Sequence, residues 1–257
     1  LMNMMATLPN LNNLLGKSPA TTSLSPQKLD YTANVYSWGT GQYQAIPEFD
    51  ITNKQMELSE NIETPDFIIW NGDSVDHHDF SQSLEKNLNE INITTLLLYK
   101  YFPSSVLIPI LGNHDTYHKN TNKISSFVEL FNSIPGLNIY DKATEVMFDG
   151  LKLLLVPWIC DDNKEHSYKL IKETNAQICF GHLELQGFEM FKGSIVSHGE
   201  SPELFSRFDL VGSGHFHHRS TRGNIYYLGS PAEYTWSDYN DPRGFHIFDT
   251  ETRQLTF

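Results

Sequence analysis

Four apolar segments of this sequence each end in glycine, and side chains that commonly bind metal ions follow at once. The four motifs are NGD at 71–73, GNHD at 112–115, GH at 181–182 and GHFH at 214–217. In α/β proteins, functional groups lie on loops beyond the carboxyl ends of the strands. Glycine lets the main chain turn sharply and come close to an ion. We therefore expect an α/β fold that gathers these motifs at one place.

The side chains in these motifs predict a metal centre of mixed oxygen and nitrogen ligands. Carboxylate and imidazole groups suit manganese, iron or zinc, and the motifs contain no thiolate, which argues against a structural zinc site. Taken singly, each residue has a simpler explanation, such as an aspartate that caps a turn or a histidine in the core. The ordered series of all four motifs favours the metal centre. The candidate ligands are Asp73, Asn113, His182, His215 and His217.

The order of the predicted elements indicates how the chain is organised. Residues 1–34 are rich in Asn, Ser, Thr and Pro and predict an irregular N-terminal segment, whereas residues 35–257 predict one domain. Strands and helices alternate and several late strands follow, which predicts an α/β sandwich of two mixed β-sheets flanked by helices. We expect helices at 81–102, 122–134 and 164–174, and a hairpin across 145–159.

Charge and cysteine content limit the class of function. The 257-residue chain has a net charge of −13, which disfavours an autonomous DNA-binding module but not an enzyme with cations in its site. No apolar run approaches the ~20 residues of a membrane span, and the first residues do not resemble a signal peptide. Cys160 and Cys179 lie in apolar runs, so we expect buried free thiols and a cytoplasmic protein.

The ordered motifs GD-x-x-D, GNHD, GH and GH-x-H resemble those of the calcineurin-like metallophosphoesterase superfamily. The resemblance implies a sandwich of two sheets and two divalent metals, with manganese expected and zinc or iron as alternatives. It implies that Asp73 bridges the two metals and that Asn113, His182 and His215 complete the second metal site. His217 is then a ligand of the first metal.

The same resemblance implies a catalytic role for the rest of the GNHD motif. His114 is the expected catalytic histidine that protonates or stabilises the leaving oxygen, and Asp115 is its expected orienter. The implied reaction is hydrolysis of a phosphodiester by water that two closely spaced metal ions activate.

Two halves of the chain resemble different branches of this superfamily. Residues 112–257 resemble SbcD-type nuclease subunits through VPWICDDN, GHLELQGF, SGHFHHRS and YLGSPAEYTWSDYNDPRGFHIFDTET. That branch implies DNA as substrate and an SbcC-like ABC-type ATPase as partner, although the docking segment for that partner is expected to be absent. Residues 35–117 resemble the acid sphingomyelinase and endopolyphosphatase branch through PDFIIWNGDSVDHHDF and YFPSSVLIPILGNHDTY. That branch implies a lipid or polyphosphate substrate and a secreted or lysosomal protein.

The superfamily's opening D-x-H motif is missing from this sequence. If the segment VYSWGTGQYQ at 35–44 takes the place of that motif, it has Ser37 and Gly39 where the motif has aspartate and histidine. If it corresponds to a loop downstream of the motif, the pair would lie in residues 1–34, which contain Asp30 and no histidine. We therefore expect an incomplete first metal site, with Asp76 and His77 as possible substitute ligands. This departure leaves a third function open, that of a one-metal or inactive scaffold relative.

Overall fold

The structure is a computed structural model that describes residues 65–73, 98, 102, 104–131, 137, 139–148 and 150–257. The early strands are β1 (Phe67–Asn71), β2 (Val106–Ile110), β3 (Thr116–His118), β4 (Thr121–Ser125), β5 (Thr144–Phe148), β6 (Leu151–Val156) and β7 (Ile178–Gly181). The later strands are β8 (Glu189–Phe191), β9 (Ser194–Ile195), β10 (Leu210–Ser213), β11 (Ser220–Arg222), β12 (Ile225–Tyr227), β13 (Ile247–Phe248) and β14 (Leu255–Thr256). The described α-helices are α1 (Ser126–Phe131) and α2 (Lys164–Glu173), and short 3-10 helices span Pro202–Phe205 and Trp236–Asp238.

A mixed six-stranded sheet is the largest element of the fold. Its strand order is β11-β12-β10-β7-β6-β5. The four inner strands run parallel, and β5 and β11 pair antiparallel at the two edges. Ser213 at the end of β10 pairs with Gly181 at the end of β7. The loops that follow these two strands therefore leave the sheet side by side.

The parallel pair β1–β2 packs on one face of the six-stranded sheet. Side chains alternate along a strand, so Ile108 and Ile110 of β2 join a buried cluster with Leu153 and Leu155 of β6, while Leu154 points to the opposite face. That opposite face is covered by a cluster whose other members include Ile171 of α2, Phe205, Phe216 and Tyr227. The outer face of β1–β2 carries Leu107 and Leu111, which pack with Phe127 of α1. These layers match the predicted sandwich of sheets flanked by helices.

The predicted hairpin and the predicted helix that follows it are confirmed. The hairpin at 145–159 corresponds to the antiparallel pair β5–β6, and the predicted helix 164–174 corresponds to α2. The predicted helix 122–134 was wrong at its start, because residues 121–125 form β4 and pair with β3. Ser125 Oγ accepts the main-chain N–H of Val128, so the helix begins only after this residue. The N-terminal segment 1–34 lies outside the described residues, as does the helix 81–102 apart from Leu98 and Phe102.

A buried tyrosine anchors the loop that follows β7. The Tyr227 hydroxyl donates to the carbonyl of Leu183 at 2.9 Å and accepts the N–H of Leu185 at 3.0 Å. Burial raises the pKa of this phenol, so it stays a neutral donor. Cys160 and Cys179 are free and buried, as expected. Among the described helices, none is long and apolar enough to cross a membrane.

Candidate metal centre

Four strands bring their carboxyl ends to one point. Asp73 follows β1, Asn113 follows β2, His182 follows β7 and His215 follows β10. Main-chain hydrogen bonds fix the neighbouring ends, because Gly214 N–H donates to the carbonyl of Gly181 at 2.9 Å. The four residues therefore come from four separate motifs of the sequence to one edge of the fold.

The ligand atoms of these residues converge on a single small space. His182 Nε2 lies 3.2 Å from Asp73 Oδ2 and 3.0 Å from Asn113 Oδ1. His215 Nδ1 lies 2.8 Å from Asn113 Oδ1 and 3.2 Å from His182 Nε2. The ligand atoms of Asp73, His182 and His215 all lie within 4.8 Å of one another. Two imidazole nitrogens and two oxygens that face each other this closely are electrostatically compatible only with a proton or a cation between them.

The outer hydrogen bond of His182 determines which nitrogen faces the centre. Its Nδ1 donates to the carbonyl of Asn71 at 2.7 Å, so in the neutral imidazole the lone pair is on Nε2. Without a metal, burial favours the neutral imidazole, but the adjacent Asp73 carboxylate outweighs burial and raises the pKa of His182. Burial likewise acts to raise the pKa of Asp73, yet the charges and hydrogen bonds of His182 and His114 lower it well below its ordinary value. A proton on His182 Nε2 thus occupies the position that a metal cation would take.

His215 has the same arrangement with a carboxylate as its outer partner. Its Nε2 lies 3.4 Å from Glu184 Oε1, which leaves Nδ1 on the side of the centre. Burial lowers the pKa of His215, although Glu184 opposes that shift, so the imidazole is in the neutral form that a metal requires. The indole ring of Trp158 packs against His215 with a centroid separation of 5.2 Å, and Trp158 Nε1 donates to the carbonyl of Lys119 at 2.8 Å.

The glycines of the motifs are required because the ligands press against their main chain. A Cβ atom on Gly112 would lie 2.9 Å from His182 Cε1 and closer still to Asp73 N and Oδ1. A Cβ atom on Gly72, which has φ +86°, would meet the imidazole of His182 and the Cα of Gly112. The strand ends can approach one another only because these positions lack side chains.

The GNHD motif contributes hydrogen bonds as well as the candidate ligand Asn113. The main-chain N–H of His114 donates to Asp73 Oδ1 at 2.9 Å, so the predicted catalytic histidine follows directly on a contact with the carboxylate that is predicted to bridge the metals. The buried carboxylate of Asp115 accepts the N–H of Gly112 at 2.7 Å. Asp115 therefore stabilises the turn that carries Asn113 and His114, and its predicted role as orienter of the His114 ring stays a prediction.

The remaining candidates lie apart from this cluster. His217 is not among the residues whose ligand atoms converge, and its Nδ1 lies 3.1 Å from Asp238 Oδ2. The predicted substitute ligands Asp76 and His77 lie outside the described residues, as do Ser37 and Gly39. The residues of the predicted second metal site are thus brought together, whereas the described candidates for the first site are Asp73, which the two sites would share, and His217.

Three residues that contact the candidate histidine ligands were not identified from the sequence. Glu184 and Asp238 are hydrogen-bond partners of His215 and His217, and Trp158 packs against His215. Glu184 stands two residues after His182, and the spacing of a GHxE motif on a loop was the one signal that could have identified it. Asp238 is 21 residues from His217, and no local pattern links the two.

Comparisons with known proteins agree with this architecture. The family model for calcineurin-like phosphoesterases matches residues 39–219, which is more than half of the chain. The chain therefore belongs to the calcineurin-like phosphoesterase family, and this membership supports a hydrolase acting on phosphoesters. The fold class predicted from the motifs is confirmed.

Several curated relatives are similar to this chain. The "Exonuclease subunit 1" of Enterobacteria phage T4 is 38% identical over 179 residues, which cover 70% of this chain and 49% of the relative. An SbcD-type subunit of the SbcCD nuclease from Staphylococcus saprophyticus is 26% identical over 232 residues, covering 76% of this chain and 58% of the relative. The "Sphingomyelinase phosphodiesterase C" of Dictyostelium discoideum is 24% identical over 226 residues, covering 82% and 48%. The chain spans about half the length of the curated relatives it matches.

The donor set fits one divalent transition-metal ion. Two imidazole nitrogens, one carboxylate oxygen and one amide oxygen match the borderline ligand preference of manganese, iron and zinc. Each histidine has a hydrogen-bonded outer partner, as metal-binding histidines usually do.

Proposed function

We propose that this protein is a metal-dependent phosphodiester hydrolase that acts on DNA and uses manganese. The observation that carries the proposal is the convergence of the ligand atoms of Asp73, Asn113, His182 and His215 on one space. The choice of DNA is supported by the similarity to a phage exonuclease subunit, which is the relative with the highest identity among those described above.

In this proposal the four residues hold one divalent cation, which supplies Lewis-acid polarisation of a phosphate oxygen and acidification of a water. His182 is buried and pairs with the largely covered carboxylate of Asp73, so the protein excludes bulk water from this side of the centre. His114 is half-buried, its own main-chain N–H donates to Asp73 Oδ1, and in this proposal its imidazole gives a proton to the leaving oxygen. Asp115 keeps this turn rigid through its bond to Gly112.

We propose that the first metal position is the weaker of the two. Asp73 and His217 are its described contributors, and the sequence before Asp73 has no D-x-H motif to add to them. Because fewer charged ligands give a lower affinity, the first metal position should fill after the second. Activity should therefore require more than one equivalent of manganese per protein.

The test is hydrolysis of bis-p-nitrophenyl phosphate and of single-stranded DNA by chelator-treated protein to which manganese is returned. Asp73→Ala and His215→Ala should each abolish both activities and lower the manganese content measured by mass spectrometry. His118→Ala is the matched control, because His118 is an exposed histidine on β3 outside the cluster. Wild-type protein that binds no manganese and cleaves neither substrate would refute the proposal and favour the inactive scaffold.

A second candidate is hydrolysis of sphingomyelin, which the similarity to the Dictyostelium relative over 82% of this chain favours. The two functions share the metal centre and differ in substrate. Release of phosphocholine from sphingomyelin at acid pH, without cleavage of single-stranded DNA, would select the lipid substrate.

The proposal extends to location and partner. Free buried Cys160 and Cys179 agree with a cytoplasmic, reducing environment. Two relatives are named as subunits of nucleases, which supports a partner subunit, and an SbcC-like ABC-type ATPase is the partner we propose. Co-purification of this chain with such an ATPase encoded beside it would test that step.

A further inference from the structure

A largely covered arginine joins two carboxylates beneath the GHFHH segment. Arg243 Nη2 lies 3.2 Å from Asp238 Oδ1 and 2.9 Å from Asp241 Oδ2. Arg243 Nη1 also donates to the carbonyl of His217 and, at 2.6 Å, to Ser230 Oγ. We call Asp238, Asp241 and Arg243 the carboxylate clamp, since they tie the segment before β13 to the loop after β10.

Each carboxylate of the clamp holds one of two consecutive histidines. Asp238 Oδ2 lies 3.1 Å from His217 Nδ1, and Asp241 Oδ2 lies 2.9 Å from His218 Nδ1. A carboxylate is only an acceptor, so the imidazole nitrogen that faces it carries the proton. For His217 the clamp therefore fixes the tautomer with the proton on Nδ1 and, in the neutral form, the lone pair on Nε2. His218 differs, because its Nε2 also lies 3.5 Å from Glu189 Oε2.

Hydrogen bonds hold the side chain of Asp238 in the position that imposes this tautomer on His217. Its side chain is 1% exposed, and its Oδ2 also accepts the main-chain N–H groups of Tyr234 at 2.9 Å and Thr235 at 2.8 Å. The capping box between Thr235 and Asp238 begins the short 3-10 helix Trp236–Asp238. These hydrogen bonds and the contact with Arg243 thus hold the carboxylate in place.

We propose that Asp238, supported by Arg243, is a positioning residue that presents His217 as an Nε2 ligand for the first metal position. The inference rests on the proposed function for the role of His217, but the tautomer that it requires is a property of the metal-free protein. Asp238 then serves His217 as Asn71 serves His182 and Glu184 serves His215, so that all three predicted histidine ligands have an outer partner.

The first test is the nitrogen-15 spectrum of the histidine side chains in metal-free protein at pH 8.5, with the His217 signals assigned by their loss in His217→Gln. We expect His217 to carry its proton on Nδ1, whereas a free imidazole favours Nε2. A dominant Nε2–H tautomer would overturn the proposal. Because this measurement needs neither metal nor substrate, it remains informative even if the protein hydrolyses no phosphodiester.

The second test compares Asp238→Ala with Asp241→Ala, a matched control that also removes one partner of Arg243 and one carboxylate partner of a neighbouring histidine. The manganese concentration for half-maximal hydrolysis should rise about 10- to 100-fold in Asp238→Ala and less than about threefold in Asp241→Ala. Equal shifts in the two variants, or no shift in Asp238→Ala, would refute the positioning role. Circular-dichroism melting confirms that each variant folds. If Asp238→Ala does not fold, Asp238→Asn, which has one acceptor oxygen instead of two, takes its place with the same expected direction.

Discussion

Replacement of Gly112 by alanine isolates the steric demand of the metal centre. Gly112 precedes Asn113 at the end of β2, and the added methyl would lie 2.9 Å from His182 Cε1 and nearer still to Asp73, whereas ordinary van der Waals contact begins at 3.4 Å. Asp73 and His182 must therefore move away from the methyl by at least about 0.5 Å, and both are metal ligands in the proposed site. Misplacement of about 1 Å can cost on the order of 100-fold in rate, and overpacking costs about 1–3 kcal/mol of stability.

We therefore expect Gly112→Ala to reduce manganese-dependent hydrolysis about 10- to 100-fold and to weaken manganese binding in a calorimetric titration. Urea unfolding should show a decrease of about 1–3 kcal/mol in the free energy of unfolding. The control is Gly223→Asn, because an added Cβ at Gly223 meets no atom within 4 Å and asparagine tolerates its φ of +63°. Wild-type manganese affinity and activity in Gly112→Ala would show that the four strand ends do not meet as closely as described.

Three further results are expected. Burial acts to lower the pKa of His182, but Asp73 outweighs burial and raises that pKa above its ordinary value of 6.5. The proton on Nε2 must therefore leave before this nitrogen binds metal. Manganese affinity should therefore increase as the pH rises above 6.5, and calorimetry should detect proton release on binding. Over the same pH range, protein without metal should lose the stabilisation from the His182–Asp73 ion pair, because His182 becomes neutral. Binding that does not depend on pH would refute this assignment. Tyr227→Phe should cost about 1–3 kcal/mol in urea unfolding, because it leaves two buried main-chain groups without their partner. Cys160 and Cys179 should not react with a thiol reagent in native protein at about pH 8 and should both react in guanidinium, because burial raises the pKa of each thiol.

The sequence was sufficient to predict the sandwich and the four residues that meet, because both depend on local patterns. The apolar runs that become β7 and β10 are short and end in glycine, and their parallel pairing follows from the intervening connection. Once the strands are parallel and adjacent, His182 and His215 must emerge at the same edge. The β5–β6 hairpin was equally local.

Contacts between distant segments could not be predicted in this way. His217 and Asp238 are separated by 21 positions and Asn71 and His182 by 111, so their pairing depends on the packed fold rather than on spacing. The predicted start of α1 was wrong for a related reason. Residues 121–125 pair with β3, and that pairing outweighs the helical pattern of the segment.

Backbone conformation adds an independent sign that this edge of the fold is maintained for function. Among the described residues, Asp73 and His215 are non-glycine residues with φ of +52° and +83°, in a region that L-residues adopt at a cost of about 1–3 kcal/mol each. Asn240 and Arg253, which also have positive φ, are exposed residues outside the strands and helices. Two of the four proposed ligands therefore hold strained conformations, next to a largely buried ion pair whose charges were removed from water. A fold selected for stability alone would not concentrate both costs at one place, whereas a centre that must hold its ligands ready for a cation would.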